Sequence, residues 1–156
     1  MKKKSIDKIF KWFSMMENEE YTFPKTKEEL FKLKRLDLCC LCHRVPKEIS
    51  QVKNIKKLVV NIAGIDGPLP KEIKYFKHLE ELILGLTYIK KIHPNLYKLK
   101  KLKKLDLAGN FFNEIPKGIS ALKNLEELNL NLYFGNLPKD IVKLKKLNSM
   151  KLGFNS

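Results

Sequence analysis

Residues 102–112 read LKKLDLAGNFF, and this stretch decides the fold. Its first two leucines are three residues apart, whereas Leu105 and Leu107 are two apart. A spacing of two places alternate side chains on opposite faces of an extended strand. We therefore predict a short strand whose leucines point into a core and whose Asp106 points the other way.

This change of spacing recurs with a nearly fixed period along the chain. Prolines at 24, 46, 70, 94, 116 and 138 stand 22 to 24 residues apart. Repeats of this length are typical of solenoids, in which each unit buries its core against its neighbours. The close apolar pair stands at six places: Leu36/Leu38, Leu58/Val60, Leu82/Leu84, Leu105/Leu107, Leu128/Leu130 and Met150/Leu152.

One segment has a competing interpretation. Residues 96–105 read LYKLKKLKKL, which resembles a cationic amphipathic helix lying on a membrane. Leucines three residues apart rotate by about 60° per step around a helix, so their stripe spirals away from any single face. Because the spacing then changes to two, we favour a turn that leads into a strand.

The stretch at 102–112 resembles the leucine-rich repeat family, whose pattern L-x-x-L-x-L-x-x-N/C-x-L it follows almost intact. The element Ile-Pro-x-x-Ile-x-x-Leu resembles the roughly 23-residue repeats of Ras-suppressor-like, plant intracellular and bacterial proteins. The resemblance covers about residues 23–156. It implies an α/β fold, a leucine-rich-repeat right-handed solenoid. This would be a short arc with about six parallel strands on the concave face, short helices or irregular convex segments, and an N-terminal helical cap.

The chain divides into residues 1–23, an N-terminal amphipathic helical cap, and residues 24–156, with about five full repeats and partial ends. Thr26 and Glu29 have the spacing of a capping box, which predicts a second short helix. The sequence stops inside a repeat, and we expect an uncapped edge there to allow homodimerisation. The cap is predicted as a helix over 5–16 with Ser5 as N-cap and one apolar face: Ile6, Ile9, Phe10, Phe13 and Met16.

The bend after each strand is expected to vary between repeats. Asn110 stands where the family places an asparagine that satisfies buried backbone groups. The equivalent positions hold Ala63, Thr87 and Tyr133, and Ala63 has no polar group with which to do this. His93 stands where the repeat has proline, which predicts an altered turn in that unit.

The charge of the chain allows two interpretations. Lysine and arginine number 32 against 17 acidic residues, a formal net charge of +15, yet only Arg35 and Arg44 are arginine. Sites that grip phosphate favour the forked guanidinium, so a solvated lysine surface is one interpretation. The alternative is a polyanion site for nucleic acid or an acidic membrane, made by Lys90, Lys91, Lys98, Lys100 and Lys101.

The sequence offers little that is typical of catalysis. Cys39, Cys40, Cys42 and His43 form one run, which indicates packing thiols, with a metal or redox site as the alternative. Three clustered cysteines make no disulfide framework, and we find neither a secretory signal nor a membrane-spanning stretch. We therefore expect a non-enzymatic cytoplasmic protein without a cofactor, although a secreted effector stays an open alternative.

The residues between the paired leucines are expected to face a partner. Val59 and Ile83 are apolar and central on this face, with Ile62 and Leu86 at its rim. The favoured hypothesis is a protein–protein interaction module that binds on the concave face; the alternatives are polyanion binding and the recognition domain of a bacterial effector-like protein. The predicted partner-binding residues are Arg35, Asp37, Val59, Glu81, Ile83, Asp106, Glu127 and Asn129.

Overall fold

The computed structural model describes residues 2–18, 21–38, 45–60, 67–133 and 135–153. Two α-helices come first, α1 (Lys3–Ser14) and α2 (Lys27–Lys32). The strands follow in chain order: β1 (Arg35–Leu38), β2 (Lys57–Val60), β3 (Gly67–Pro68), β4 (Glu81–Ile83), β5 (Ile89–Lys91), β6 (Lys104–Asp106), β7 (Glu127–Asn129) and β8 (Ser149–Lys151).

One strand from each repeat enters a parallel sheet, in the order β1-β2-β4-β6-β7-β8. Equivalent positions pair in register, so that Leu82 of β4 stands opposite Leu58 on one side and Leu105 on the other. The predicted leucine-rich-repeat arc is confirmed. In β8 the corresponding residue is Met150, which is 43% exposed because no described strand follows it.

Short 3-10 helices return the chain from one strand to the next. Pro46, Pro70 and Pro138 each stand directly before such a helix. The unit with His93 keeps a helix of the same kind, Pro94–Lys98, because the imidazole Nδ1 accepts a hydrogen bond from the Asn95 amide at 3.0 Å. The expected alteration is therefore limited to the cap.

Helix α1 packs its apolar side against the first repeats. The Phe13 ring stacks on Phe23 with centroids 4.9 Å apart, and Lys8 Nζ lies 2.8 Å from Glu48 Oε1. The prediction of Ser5 as N-cap is wrong: the helix begins two residues earlier, after Lys2, whose carbonyl accepts from the amides of Ser5 and Ile6. The capping box of α2 is confirmed, since Glu29 N donates to Thr26 Oγ1 at 3.2 Å.

A single hydrophobic core runs from Ile9 of α1 to Leu144 of the last described repeat. Beside it lies a second, small parallel sheet made by β3 and β5, which the sequence pattern did not predict. Within the described ranges, no helix has the length and apolar character needed to cross a bilayer. The division at residue 23 and the homodimer stay predictions.

Candidate recognition surface

Strands β1, β2, β4, β6 and β7 of the main sheet turn their leucines into the core and alternate side chains towards solvent, and β8 continues the same register. In-register pairing therefore arranges these side chains in two rows, which together we call the concave face. The first row is Arg35, Lys57, Glu81, Lys104, Glu127 and Ser149, and the second is Asp37, Val59, Ile83, Asp106, Asn129 and Lys151. The structure brings all eight predicted partner-binding residues onto this one surface, while their role in binding stays a prediction.

Charges of the first row are paired with one another between repeats. Lys57 Nζ lies 2.6 Å from Glu81 Oε2, and Lys104 Nζ lies 2.7 Å from Glu127 Oε2. The hydrogen bond to Glu127 raises the pKa of Lys104 above its ordinary value. Exposed pairs of this kind contribute little to stability, so their main effect is to cancel the charge of this row.

Arg35 and Asp37 form a forked pair within β1. Arg35 Nε lies 2.8 Å from Asp37 Oδ2, and Nη2 donates to Oδ1 at 2.9 Å. This hydrogen-bonded pairing raises the pKa of the Arg35 guanidinium. The pair borders an open cavity of about 470 Å³ that Tyr21, Phe23 and Leu33 also line.

The centre of the second row combines apolar and fixed polar groups. Val59 and Ile83 are in-register neighbours on β2 and β4, and both are half-buried. Beside them Asp106 Oδ2 accepts from Asn129 Nδ2 at 3.0 Å, and its Oδ1 accepts from the Ala108 amide at 3.0 Å. With the neighbouring charges paired, a partner can cover Val59 and Ile83 without breaking an ion pair.

The five lysines of the polyanion alternative are all exposed, but they do not lie on a single element. Lys90 and Lys91 lie on β5, whereas the others lie at the end of a 3-10 helix or directly after it. One of that second group, Lys100, donates from Nζ to the Ala121 carbonyl at 3.2 Å. The structure thus divides the predicted lysine band into two groups.

The cluster of Cys39, Cys40, Cys42 and His43 lies outside the described residues, so its metal or redox alternative stays a hypothesis. Within the described part of the chain, no three histidine, cysteine or carboxylate side chains converge in a way that would hold a metal ion.

A second surface, of which the sequence analysis named only Leu86, lies where the strands end. Leu86, Tyr88 and Phe111 are 49%, 39% and 63% exposed, and the rings of Tyr88 and Phe111 stack with centroids 5.5 Å apart. Together with half-buried Leu132 they line an open cavity of about 510 Å³. We call these four residues the apolar rim.

Buried Asn110 holds the backbone beneath the apolar rim. Its Nδ2 donates to the carbonyls of Leu84 at 2.7 Å and Leu107 at 2.9 Å, and its Oδ1 accepts from the Ile89 amide at 2.8 Å. Thr87, the equivalent residue one repeat earlier, donates to the same Oδ1 at 3.1 Å. The prediction that Asn110 satisfies buried backbone groups is confirmed, and Thr87 joins the same network.

Three residues of the apolar rim adopt a backbone conformation that side chains rarely tolerate. The φ angles of Leu86, Tyr88 and Leu132 are +57°, +59° and +66°. Gly109, with φ of +63°, occupies the repeat position equivalent to Leu86 and Leu132. Left-handed leucines are strained, and strain of this kind clusters at functional sites.

One sequence signal would have pointed to the apolar rim. The position before the bend residue holds glycine in the repeat of Asn110 but leucine in its two neighbours, at 86 and 132. A large apolar side chain in place of glycine, beside aromatic residues at 88 and 111, marks a surface that folding alone does not require.

Comparison with known proteins agrees with this geometry. The family model described as leucine rich repeat matches residues 77–132. Over 70 residues the chain is 41% identical to the receptor-like protein EIX1 of Solanum lycopersicum, a match that covers 42% of this chain and 7% of that protein. The chain thus spans a small fraction of the length of this relative.

Solved structures of leucine-rich repeats superpose on the chain. The ectodomain of the receptor kinase GASSHO1/SCHENGEN3 from Arabidopsis thaliana, in complex with CASPARIAN STRIP INTEGRITY FACTOR 2, is 28% identical, with a TM-score of 0.55 over 70% of this chain and 14% of that chain. The SOBIR1 ectodomain from the same plant is 26% identical, with a TM-score of 0.53 over 72% of this chain and 66% of that one. Internalin C2 of Listeria monocytogenes, 17% identical, has a TM-score of 0.61 over 97% of this chain and 76% of its own, which shows the fold alone.

Proposed function

We propose that the chain is a non-enzymatic recognition module that holds a protein or peptide segment against its concave face. The observation that carries this proposal is the in-register row Asp37–Val59–Ile83–Asp106–Asn129, which forms one continuous solvent-facing surface across repeats. Support also comes from the GASSHO1/SCHENGEN3 ectodomain, a structural relative above 25% identity that was solved in complex with a factor.

The apolar pair supplies most of the binding energy in this proposal. Val59 and Ile83 sit next to each other between polar groups that are already paired, so a partner can cover them without breaking those ion pairs or hydrogen bonds. A small apolar centre within a polar rim is the usual arrangement of binding hot spots. The partner segment is expected to place an apolar side chain over this pair.

A selection from random peptides tests the proposal without a known partner. The full chain is immobilised, and a phage library of random peptides is selected against it. Selected peptides should lose at least about tenfold in affinity against Val59→Asp and Ile83→Asp variants. The matched control is Val142→Asp, which makes the same change at a valine that is 74% exposed on a 3-10 helix away from the sheet.

Two outcomes would contradict this assignment. Peptides that bind both concave-face variants as tightly as the parent chain would remove the concave face from consideration. Peptides that respond equally to the Val142→Asp control would show a general effect of added negative charge. Circular dichroism of each variant checks that the fold is retained.

Polyanion binding is the competing hypothesis, and the salt dependence of the affinity distinguishes it from binding at the concave face. Contacts between lysines and phosphates release counterions, so their affinity falls steeply as salt rises, whereas an apolar contact changes little. A titration with non-specific DNA and RNA between about 50 and 500 mM salt is the direct measurement. Binding that persists near physiological salt and drops with a steep log–log slope would replace the concave-face proposal.

A further inference from the structure

One edge of the solenoid carries a series of lysines with no acid among them. In five repeats a 3-10 helix is followed, one buried residue later, by a two-residue turn that leads towards the next strand of the main sheet. Each of these turns begins with lysine, and none contains Asp or Glu. We call the ten turn residues the lysine edge: Lys53, Asn54, Lys77, His78, Lys100, Lys101, Lys123, Asn124, Lys145 and Lys146.

The lysines of this edge keep their charge available. All of them are exposed, and none lies within ion-pair distance of a carboxylate in the described part of the chain. Two donate to neutral acceptors, Lys100 to the Ala121 carbonyl at 3.2 Å and Lys146 to Asn124 Oδ1 at 2.8 Å. Such hydrogen bonds leave the positive charge of the ammonium groups uncompensated.

The carboxylates that follow the turns do not balance this charge. Glu80, two residues after His78, lies 3.2 Å from Lys56 Nζ and 3.0 Å from Lys103 Nζ, so it is already paired outside the lysine edge. Glu126 holds the equivalent position of a later repeat and is half-buried. The edge therefore carries an excess of positive charge.

Hydrogen bonds between consecutive turns hold the lysine edge in line. Asn124 Nδ2 donates to the Lys100 carbonyl of the preceding repeat at 2.9 Å. Strands of the sheet to which these turns lead lie about 4.8 Å apart, so five turns extend over roughly 20 Å. The lysines thus form one continuous surface.

The imidazole of His78 lies within the field of this surface. Its pKa is held below the ordinary value, first by burial and then by four lysines: Lys101, Lys56, Lys53 and Lys77. Three of these lysines belong to the lysine edge and come from three successive repeats. Their charges therefore act together at one place.

The chemistry of the lysine edge indicates which polyanion suits it. It contains neither arginine nor an aromatic residue. Sites for single-stranded nucleic acid combine cations with aromatic rings that stack on the bases, and forked guanidinium groups hold phosphate in a fixed geometry. Ammonium groups on flexible stems impose no such pattern, and mobile anionic lipids can collect beneath them wherever they stand.

From these observations we propose that the lysine edge docks the chain on a bilayer surface rich in anionic lipid headgroups. The edge lies where the strands begin, so the concave face stands beside the bilayer and stays open to a partner. Of the lysine band predicted from the sequence, Lys100 and Lys101 belong to this surface, whereas Lys90 and Lys91 lie on β5. The docking is independent of the concave face, so either proposal stands if the other fails.

Sedimentation of the full chain with lipid vesicles tests the proposal. One set contains phosphatidylcholine and phosphatidylserine at a ratio of about 2:1, and the other contains phosphatidylcholine alone. The chain should bind the first set only, and its affinity should fall at least about tenfold between about 50 and 250 mM salt. Equal binding to both sets, or no binding at the lower salt, would overturn the proposal.

Two triple variants with the same net charge locate the binding surface. Replacement of Lys53, Lys77 and Lys123 by Gln removes three charges of the lysine edge and should weaken vesicle binding by at least about tenfold. The matched control replaces the exposed lysines that directly follow repeat prolines, and it should change the affinity by less than about threefold. The control substitutions are Lys47→Gln, Lys117→Gln and Lys139→Gln. Equal losses in the two variants would show a general effect of net charge and would remove the lysine edge as the docking surface.

Two further measurements separate the proposal from its alternatives. Single-stranded RNA, added at the same concentration of negative charge as the lipid, should not displace the chain from the vesicles. Displacement by this RNA would replace the lipid surface with nucleic acid as the occupant of the edge. Val59→Ser should bind vesicles as the parent chain does, and a tenfold loss there would place the contact on the concave face instead.

Discussion

A single amide side chain connects two consecutive bends of the solenoid. Asn110 is buried, donates to carbonyls of two repeats and accepts from the Ile89 amide. Buried backbone groups that lose their partner each cost about 1–3 kcal/mol, so no hydrophobic replacement is equivalent here. The stability of the bend therefore depends on the residue type rather than on its volume.

We expect Asn110→Ala to lower the free energy of unfolding by about 2–4 kcal/mol, because several backbone groups would be left unpaired. Urea denaturation followed by circular dichroism measures it. The matched control is Asn124→Ala, whose Nδ2 likewise donates to a carbonyl of the preceding repeat, Lys100 O at 2.9 Å, but on the exposed side. A loss for Asn110→Ala no larger than that of the control would contradict the role assigned to Asn110.

The left-handed position of Gly109 gives a second test at the residue scale. Gly109→Ala should destabilise the chain by about 1–2 kcal/mol, since a Cβ there is strained and collides with the Leu86 side chain. Gly85→Ala is the control, because its Cβ would come no closer than 3.4 Å to Asp106 Oδ1. Equal unfolding midpoints for the two variants would show that the backbone here relaxes freely.

At the scale of elements, short helices depend on their caps more than on their length. Helix α2 has six residues, and its capping box satisfies two amides that the helix itself leaves unpaired. Thr26→Ala should cost about 1 kcal/mol, whereas Thr26→Ser should restore most of it. Thr22→Ala, at an exposed threonine outside the helix, is the control, and a Thr26→Ala midpoint equal to that of the control would refute the capping role.

Because of ion pairs between repeats, we expect the free energy of unfolding to decrease at acid pH. Hydrogen bonds from Lys103 and then Lys56 hold the pKa of Glu80 below its ordinary value of 4.5. A carboxylate whose pKa is lower in the folded chain stabilises the fold fully above its unfolded pKa. That contribution is lost as pH falls through the folded value.

We therefore expect Glu80→Gln to reduce the loss of stability on going from about pH 6 to pH 3, as measured by urea midpoints at each pH. Glu126→Gln changes the equivalent position of a later repeat, where no described lysine lies within ion-pair distance. The Glu80 variant should flatten the profile more than this control. Identical profiles would mean that Glu80 does not couple the repeats.

At the scale of the whole molecule, the protection of backbone amides against hydrogen exchange should increase with the number of neighbours that each repeat has. Strand β6 pairs on both sides, whereas β8 pairs on one side within the described sheet and leaves Met150 and Leu152 exposed. In solenoids each repeat is stabilised mainly by its adjacent units. Amides of β8 should exchange with deuterium at least about tenfold faster than those of β6, and equal rates would indicate that β8 is covered in solution.

How much was predictable differs between the fold and its surfaces. The change of spacing at Leu105 and Leu107 predicted the parallel sheet because burial of alternate residues leaves a period in the sequence. The two rows of the concave face followed from the same period. By contrast, the repeat pattern assigns Phe112 to the core but says nothing of Phe111, which is exposed and stacks on the Tyr88 ring. That contact depends on the left-handed backbone at Leu86 and Tyr88, and the sequence does not reveal such a conformation when residues other than glycine adopt it.

The stacking of repeats also fixes how the chain responds to force. Hydrogen bonds between neighbouring strands run along the direction in which the repeats are stacked, so tension applied between the two ends pulls them apart in line. Each repeat then detaches from its neighbour separately, so the repeats do not resist the force together. A coil of 22 to 24 residues would release roughly 75–85 Å of extended chain in one step. The molecule would therefore behave as a compliant spring that lengthens in regular increments.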